Sequence, residues 1–356
     1  MSYTNGLDKP TDYFNTKLYT GTGSSQSITG VGFQPDWVWI KKRSATDGSR
    51  MFDAVRGASK GLFTDSTSEE VTVSSEHTSF DSDGFSLGAS ENVNESSGTF
   101  VAWNWLGANG TASNTDGSVT STVSANTTAG FSIVSWTGSG ADATVGHGLS
   151  QAPTIFILKN RTDVSDWRIG QVLTSTNNMT DGNGYYMELN DTKASSNPGS
   201  ATTWGATPTA PTSSVFTVGS TNAHNGSSDN MIAYCFAEKK GYSKFGSYTG
   251  NGNADGTFVY TGFKPAFVIT KRTTDGNESW HLFDNKRNSF NVVDKRFQVN
   301  SNGGEDTAAP LGDFVSNGFK IRGTGGGINV SGKNFIYMAF AENPFTTSTG
   351  IPTTAR

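Results

Sequence analysis

GFQPDWVWIKKR, at residues 32–43, contains the pattern from which we predict the fold class. A glycine and a proline precede an unbroken run of β-forming residues, WVWI at 37–40, and three cations follow at 41–43. Continuous apolar runs with Gly and Pro at their entry are typical of strands that are buried on both faces. We therefore predict a central strand whose tryptophans pack in a core.

An exposed aromatic platform for a sugar or a nucleic acid is the alternative interpretation of this stretch. The same position is occupied by IFIL at 155–158 and by FVIT at 267–270. Aromatic residues that alternate with aliphatic ones at a repeated position favour packing over ligand binding. The cations at 41–43 are expected where the strand emerges into solvent, in surface ion pairs with Asp47 or Asp53.

The opening motif belongs to a set of three motifs that recur in the same order. The opening motif returns as GLSQAPTIFILKNR (148–161) and GFKPAFVITKR (262–272). A closing motif appears as FVAWNW (100–105), MIAYCFAE (231–238) and FIYMAFAE (335–342). The segments before the opening motifs are LYTGTGSSQSITG (18–30), VSWTGSGADATVG (134–146) and GSYTGNGNADGTFVYTG (246–262). Three motifs in one order, about 110 to 120 residues apart, predict three internal repeats.

The predicted fold is all-β, with tandem antiparallel β-sandwich units of jelly-roll or lectin-like type. DSDGFSLG (81–88) and VSNGFKIRG (315–323) are hairpin signals, and no segment has a long helical period. Each repeat forms either its own domain or one of three interlocked units. The predicted boundaries are 1–17 for an N-terminal attachment arm, 18–110 for repeat 1, 130–240 for the divergent repeat 2, 244–345 for repeat 3 and 346–356 for a C-terminal tail.

Composition narrows the class of protein. The 356 residues include 43 glycines, 12% aromatic and 16% charged residues, which suits a turn-rich β protein and not a disordered chain. A net charge of -5 disfavours a nucleic-acid partner, and no apolar run is long enough to cross a bilayer. The single cysteine, Cys235, rules out an internal disulfide and is expected to be a small buried hydrophobe. The N-terminus lacks a signal-peptide pattern, so we expect release by lysis.

Catalytic and metal-binding patterns are weak in this sequence. The four histidines, His77, His147, His224 and His281, form no metal-spaced pair, and no G-x-S-x-G motif occurs. Carboxylate pairs for glycoside hydrolysis or calcium are conceivable at Asp81 and Asp83 or at Glu69 and Glu70, although DSDG is also ordinary turn chemistry. We expect no catalytic residue, no metal and no cofactor.

Aromatic residues near Gly- and Asn-rich loops of the second repeat are candidates for carbohydrate or receptor binding. Trp204 lies in a long Pro/Gly/Thr loop, residues 196–214, where a core role is less expected than in a strand. The candidate contact residues are Trp136, Trp167, Tyr185, Tyr186 and Trp204.

Longer runs of the chain resemble a repeat found in structural proteins of marine bacteriophages, described mostly as tail-fibre or virion-associated proteins. In the first repeat these runs are YFNTKLYTGTGSSQSITGVGFQPDWVWIKKR (13–43), SRMFDAVRGASKGLFTDSTSEE (49–70), TSFDSDGFSLG (78–88) and GTFVAWNW (98–105). In the third repeat they are WHLFDNKRNSFNVVDKRF (280–297), DFVSNGFKIRG (313–323) and FIYMAFAENPF (335–345). The resemblance covers nearly all of these two repeats and is weaker over the second.

This resemblance implies a non-enzymatic virion structural protein, displayed as a compact tail, neck or tail-fibre appendage that contributes to host attachment. The chain has no heptad-bearing shaft and only a short N-terminal arm, so a capsid decoration protein with glycan adhesion is the alternative, and a polysaccharide depolymerase is a further one. The implied partners are capsid, neck or tail proteins, a second and third copy of the chain as a trimer, and a host surface glycan. The implied location is the virion, assembled in the host cytoplasm.

Overall fold

The computed structural model describes residues 7–182, 184–197 and 203–353. These residues form an all-β structure, which confirms the predicted fold class. The only helical elements in the described part are a 3-10 turn at Pro10–Asp12 and two single-turn helices, α1 (Glu91–Asn94) and α2 (Asn222–Asn225). None of the helices in these ranges has the length and apolarity needed to span a membrane.

Three successive sets of strands follow one another along the chain, and we call them units 1, 2 and 3. Unit 1 contains β1 (Phe14–Thr20), β2 (Gln26–Thr29), β3 (Trp37–Lys42), β4 (Arg50–Asp53), β5 (Lys60–Gly61), β6 (Val71–Thr72), β7 (His77–Asp81), β8 (Gly84–Leu87) and β9 (Thr99–Trp105). Unit 2 contains β10 (Ala112–Asn114), β11 (Ser121–Asn126), β12 (Phe131–Thr137), β13 (Ala143–Gly146), β14 (Ile155–Asn160), β15 (Arg168–Gln171), β16 (Met187–Glu188), β17 (Val215–Val218) and β18 (Asn230–Phe236). Unit 3 contains β19 (Ser243–Thr249), β20 (Phe258–Tyr260), β21 (Phe263–Arg272), β22 (His281–Asp284), β23 (Phe297–Gln298), β24 (Gly312–Val315), β25 (Gly318–Ile321) and β26 (Asn334–Pro344).

Each unit has one large sheet, and the three large sheets share a strand order. The orders are β1-β9-β3-β4, β10-β11-β12-β18-β14-β15-β16 and β19-β26-β21-β22-β23. In every unit the last long strand therefore lies beside the strand of the opening motif, and its other neighbour is β1 in unit 1, β12 in unit 2 and β19 in unit 3. Unit 2 carries the additional hairpin β10-β11 at its edge.

A small sheet covers the outer face of each large sheet, giving the predicted sandwich. The small sheets are β2-β8-β7, β13-β17 and β20-β25-β24. Three separate apolar clusters fill the space between the layers, one per unit. The predicted hairpins are present, since Asp81 pairs with Gly84 and Val315 with Gly318 across two-residue turns.

A fourth apolar cluster joins the inner faces of all three large sheets. Trp37 of unit 1 lies 6.0 Å, ring to ring, from Phe236 of unit 2. Phe236 lies 6.0 Å from Phe340 of unit 3, and Phe340 lies 5.7 Å from Trp105 of unit 1. The three units are thus interlocked around one aromatic core, and this arrangement explains why the WVWI run at 37–40 is apolar on both faces.

The units also form a closed ring of polar contacts, in which a buried lysine of each unit reaches backbone carbonyls of the next. These contacts run from Lys41 Nζ to Ser301 O (3.1 Å), from Lys159 Nζ to Thr67 O (3.1 Å) and from Lys271 Nζ to Thr192 O (2.7 Å). We name the three contact regions by the units they join: the 1–3, 2–1 and 3–2 junctions. Burial lowers the pKa of Lys41 and Lys159 to about 8 and that of Lys271 to about 7.

The expectation that the cations at 41–43 emerge into solvent is wrong. Lys41 and Lys42 are buried, and Lys41 donates to the carbonyl oxygens of Asp47 and Ser301. Asp53, one of the two acids proposed as a surface partner, is buried and pairs with Arg56 instead. One carbonyl group of its own unit and one of unit 3 accept from the ammonium group of Lys41, so this lysine can lie inside the protein.

The 2–1 junction contains a continuous chain of charged groups. The Tyr234 hydroxyl donates to Asp53 Oδ2 over 2.7 Å, and Asp53 forms an ion pair with Arg56. Arg56 Nη1 lies 3.2 Å from Glu70 Oε2, and Arg161 Nε donates to the same oxygen over 2.7 Å. Burial alone would raise the pKa of Glu70. Hydrogen bonds from Arg161 and the charges of both arginines outweigh this effect, so the pKa of Glu70 is lowered.

The 1–3 junction repeats this chain with equivalent residues. Trp103 Nε1 donates to Asp284 Oδ2 over 3.1 Å, and Arg287 Nε donates to the same oxygen over 2.6 Å. Arg287 Nη1 lies 3.5 Å from Glu305 Oε2, to which Arg43 Nε donates over 2.9 Å. Asp284, like Asp53, is the last residue of its strand.

The 3–2 junction has neutral residues at the same positions. Gln171 ends β15 where the aspartates end β4 and β22, and its Nε2 donates to Thr174 Oγ1 over 3.1 Å. Met338 occupies the register position of Tyr234, because it pairs with Ile269 as Tyr234 pairs with Ile157. The aromatic donor, the aspartate and its arginine are therefore replaced together.

The described parts of both terminal segments make contacts within the structure. Leu7 and Phe14 are buried in the shared core, and Phe14 already begins β1, so the first sheet starts before residue 18. The backbone N–H of Ser348 in the predicted tail donates to Asp8 Oδ1 over 2.6 Å. Residues 1–6 of the predicted arm and 354–356 of the predicted tail lie outside the described residues.

Candidate functional site

The three tryptophans proposed as sugar contacts in unit 2 are core residues. Trp136 and Trp204 lie in the cluster between the layers of unit 2, and Trp167 lies in the shared core. Trp204 packs edge-on against Phe156 with 5.2 Å between ring centroids, and its Nε1 donates to Tyr185 O. A buried indole has no face to offer a sugar, so in this structure the three rings have a packing role.

The two tyrosines of the same proposal are half-buried. The Arg168 guanidinium carbon, Cζ, lies 4.3 Å from the centroid of the Tyr186 ring. The ring centroids of Tyr186 and His224 are 6.2 Å apart. Tyr185 accepts the Trp204 hydrogen bond through its backbone carbonyl. The structure thus brings Trp204, Tyr185 and Tyr186 together. Trp136 lies in the same cluster as Trp204, whereas Trp167 lies in the shared core.

Three of the four carboxylates considered for hydrolysis or calcium have structural partners, and the fourth, Glu69, is exposed. Asp83 accepts hydrogen bonds from the backbone N–H groups of Gly30 and Gly32, at 2.9 and 2.7 Å, and these bonds lower its pKa. Asp81 accepts from two serine hydroxyls. Glu70 belongs to the 2–1 junction. Across the part of the chain that the structure describes, no group of three or more His, Cys, Asp or Glu side chains could hold a metal ion.

The histidines and the cysteine are interior groups. Burial lowers the pKa of all four histidines and brings that of His77 and of His281 to about 3. Burial raises the pKa of the Cys235 thiol, which confirms its prediction as a buried apolar residue. These side chains are therefore neutral near pH 7.

A cleft of about 440 Å³ opens beside β20 in unit 3. Tyr260, with 60% of its surface exposed, and Phe345, with 39% exposed, supply aromatic surface. Its other lining residues are polar or small: Glu238, Lys240, Gly241, Ser243, Lys244, Thr261, Gly262 and Thr346. An aromatic surface with a few converging polar groups is the usual composition of a small-ligand site.

The aromatic residues on β20 distinguish unit 3 from the other units. Phe258 and Tyr260 flank the buried Val259 and project to the outer side of the small sheet. Val259 pairs with Phe319 as Ile28 pairs with Phe85 and Val145 with Phe216, which fixes the equivalent positions. At the Phe258 and Tyr260 positions, unit 1 has Ser27 and Thr29, and unit 2 has Thr144 and Gly146.

The corresponding space in unit 2 is filled by its own chain. A Cβ atom on Gly148 would lie 3.1 Å from the Cβ of Ala125, because strand β11 packs there. At the equivalent Gly262 of unit 3, the nearest side chain is Tyr260, whose hydroxyl would be 3.5 Å away. The cleft is therefore open in unit 3, where no hairpin precedes the first strand of the sheet.

A close ion pair provides the polar part of the cleft. Lys244 Nζ lies 2.7 Å from Glu238 Oε1, and both side chains remain about one-third exposed. The pair places a charged donor and a charged acceptor side by side beneath the aromatic surface. Adjacent hydroxyl groups of a ligand could exchange hydrogen bonds with both.

Residues 9–344 match a family described as a domain of unknown function, DUF7483. The chain belongs to this family. The match includes all three large sheets, so the interlocked units fall within a single family domain. No curated protein matches the chain.

The cleft was missed at the sequence level although a signal was present. The motif that contains β20 has bulky aromatic residues where the other two copies have Ser, Thr or Gly. That departure marks a position at which unit 3 differs in surface chemistry. The long loop around Trp204 suggested an exposed binding residue instead, but Trp204 is fully buried.

Proposed function

We propose that the chain is a non-enzymatic structural protein of a bacteriophage particle, displayed as a compact tail or neck appendage that contributes to host attachment. The sequence resemblance to virion-associated repeats supports this function. The observation that carries the proposal is the closed ring of three interlocked units, a rigid body whose exposed apolar side chains are concentrated on one unit. A displayed appendage needs both a rigid scaffold and a local contact surface.

The distribution of exposed apolar side chains is uneven. Of the seven large apolar side chains exposed among the described residues, six lie in unit 3 or in the segment that follows it. They are Phe258, Tyr260, Phe290, Val292, Phe345 and Ile351. Exposed apolar residues gathered in one region favour an interaction surface.

A capsid decoration protein with glycan adhesion is the second candidate function. It is favoured by the arrangement of three similar sheets about one core, since such a body can match a threefold position on a symmetric shell. In that case the chain itself would supply the threefold form, and association of three copies would not be needed to create it.

The test is to locate the chain in purified particles of the phage that encodes it. We expect mass spectrometry to detect its peptides in amounts comparable with those of tail or neck proteins, and cryo-EM to place its three-unit body on the tail or neck. Density on the capsid lattice would favour decoration instead. Absence of the chain from purified particles would overturn both. A reducing-end assay on host envelope polysaccharide tests the depolymerase alternative in the same preparation.

A further inference from the structure

We propose that the cleft beside Tyr260 is a binding site for a neutral pyranose ring of a surface polysaccharide. This inference rests on the proposed attachment function and names the ligand class of that function. It moves recognition from unit 2, where the tryptophans are buried, to unit 3, where aromatic surface is exposed.

The size and lining of the cleft fit a sugar of this kind. Its volume of about 440 Å³ lies in the range of small-ligand sites and exceeds what one ring requires. A pyranose has an apolar C–H face and a rim of hydroxyl groups. Tyr260 can receive the apolar face, because an exposed tyrosine ring combines a flat apolar body with a polar tip.

The polar groups match the rim of the same ligand. Glu238 can accept from one hydroxyl while Lys244 donates to its neighbour, because the two charged atoms are 2.7 Å apart. Thr346, which is half-buried, adds a hydroxyl to the lining. The Glu238–Lys244 pair is internally neutralised, and Lys240 is the one further charged residue among the described residues of the lining. Because the chain has a net charge of -5, a neutral sugar fits this cleft better than a strongly acidic one.

The internal comparison supports a ligand role over a packing role for Tyr260. The equivalent strand of unit 1, β2, has Ser27 and Thr29 where β20 has Phe258 and Tyr260. A strand at this position therefore forms without an aromatic ring. The fold buries Val259 to hold the strand and leaves Tyr260 60% exposed. Removing its ring should therefore leave the core of the protein unchanged.

The experiment measures binding of the intact chain to a panel of neutral gluco-, galacto- and manno-oligosaccharides and to envelope polysaccharide of the host. We expect Tyr260→Ala to weaken binding about tenfold or more, and Lys244→Ala to weaken it by a similar factor. The matched control is Phe258→Ala, which removes an aromatic ring from the same strand and face but outside the cleft, and should change binding by less than about twofold.

A fluorescent variant gives a second readout. All eight native tryptophans are buried, so Tyr260→Trp introduces a single solvent-exposed indole, which iodide should quench. Bound sugar should protect this indole from iodide.

Three results would overturn the site: sugar binding unaffected by Tyr260→Ala, no protection of the indole by any sugar or host polysaccharide, or binding restricted to sulfated or uronate glycans and abolished by salt. If the particles carry the chain, each of these leaves the proposed function standing and removes only the site. Absence from the particles removes the proposed function independently of any sugar result.

Discussion

The 2–1 and 3–2 junctions join equivalent surfaces by different chemistry. At the 2–1 junction a buried aspartate, Asp53, receives an aromatic hydroxyl and an arginine. At the 3–2 junction Gln171 takes the place of the aspartate, and Met338 the place of the hydroxyl donor. Buried charges are stable only when every partner is present, so the set is either complete or wholly replaced. We infer that the aspartate, its arginine and the aromatic donor form one coupled set.

The largest effect is expected from breaking the charged set. Asp53→Ala leaves the Arg56 guanidinium without its closest anion and the Tyr234 hydroxyl without its acceptor, both in the interior. We expect the free energy of unfolding to fall by about 3 to 5 kcal/mol. Urea denaturation followed by tryptophan fluorescence at pH 7 measures the change.

The matched control is Gln171→Ala at the neutral junction. It removes a side-chain hydrogen bond to Thr174 but leaves no charge unpaired, so we expect a loss of about 1 kcal/mol. Equal losses for the two variants would show that charge at the 2–1 junction has no special role.

A triple variant should then recover part of the loss by copying the neutral set into the charged junction. Asp53→Gln, Arg56→Thr and Tyr234→Met together recreate at the 2–1 junction what the 3–2 junction already has. We expect the triple variant to be about 2 kcal/mol more stable than Asp53→Ala, because no buried charge remains unpaired.

The control is the double variant Arg56→Thr with Tyr234→Met, which keeps Asp53 without its partners. It should be as unstable as Asp53→Ala. A triple variant that is less stable than either would mean that the three residues contribute independently.

Much of this architecture could be predicted from local patterns. The motif order indicated three repeats, and the WVWI run at 37–40 indicated a strand buried on both faces, because an apolar run without alternation has no solvent face. The hairpin turns followed from Asp-Gly and Asn-Gly pairs. These features depend on residues close together in the chain.

The features that could not be predicted depend on distant partners. Lys41 looks like a strand end in solvent until the carbonyl of Ser301, 260 residues away in the chain, is placed over it. Trp204 looks like an exposed loop residue until Phe156 packs against it. Tyr260 could have been noticed by comparison with Thr29, although the openness of its cleft depends on where the neighbouring segments pack.

Acid titration separates the junction carboxylates from the histidines. The pKa of His77 is about 3 in the folded protein, because burial disfavours its charged form, and about 6.5 when unfolded. Between these values the unfolded state binds the extra proton, so stability falls as pH falls. Between about pH 5.5 and about pH 4, we expect His77 to lower the free energy of unfolding by about 1.4 kcal/mol for each pH unit of acidification.

His77→Phe checks this expectation, since the ring lies among Phe52, Phe80 and Phe85 and a phenyl group suits that environment. As pH falls, the variant should lose stability less steeply than the parent chain. The two slopes should differ by about 1.4 kcal/mol per pH unit. Parallel curves for the two proteins would show that His77 does not contribute, and would leave the acid sensitivity to the other three buried histidines and to the carboxylates.

The smallest effect compares the lysines of the neutral and charged junctions. Burial lowers the pKa of Lys271 to about 7 and that of Lys41 to about 8, against about 10.4 in the unfolded chain. The unfolded state holds the proton that the folded state releases, so stability rises with pH in this window. Between about pH 7 and about pH 8, we expect about 1 kcal/mol of added stability from Lys271 and about 0.4 kcal/mol from Lys41.

Urea denaturation at the two pH values measures this rise in stability. Lys271→Met should remove most of the rise, and Lys41→Met should remove less than half as much. A rise that is undiminished in Lys271→Met would mean that this lysine stays protonated at the neutral junction.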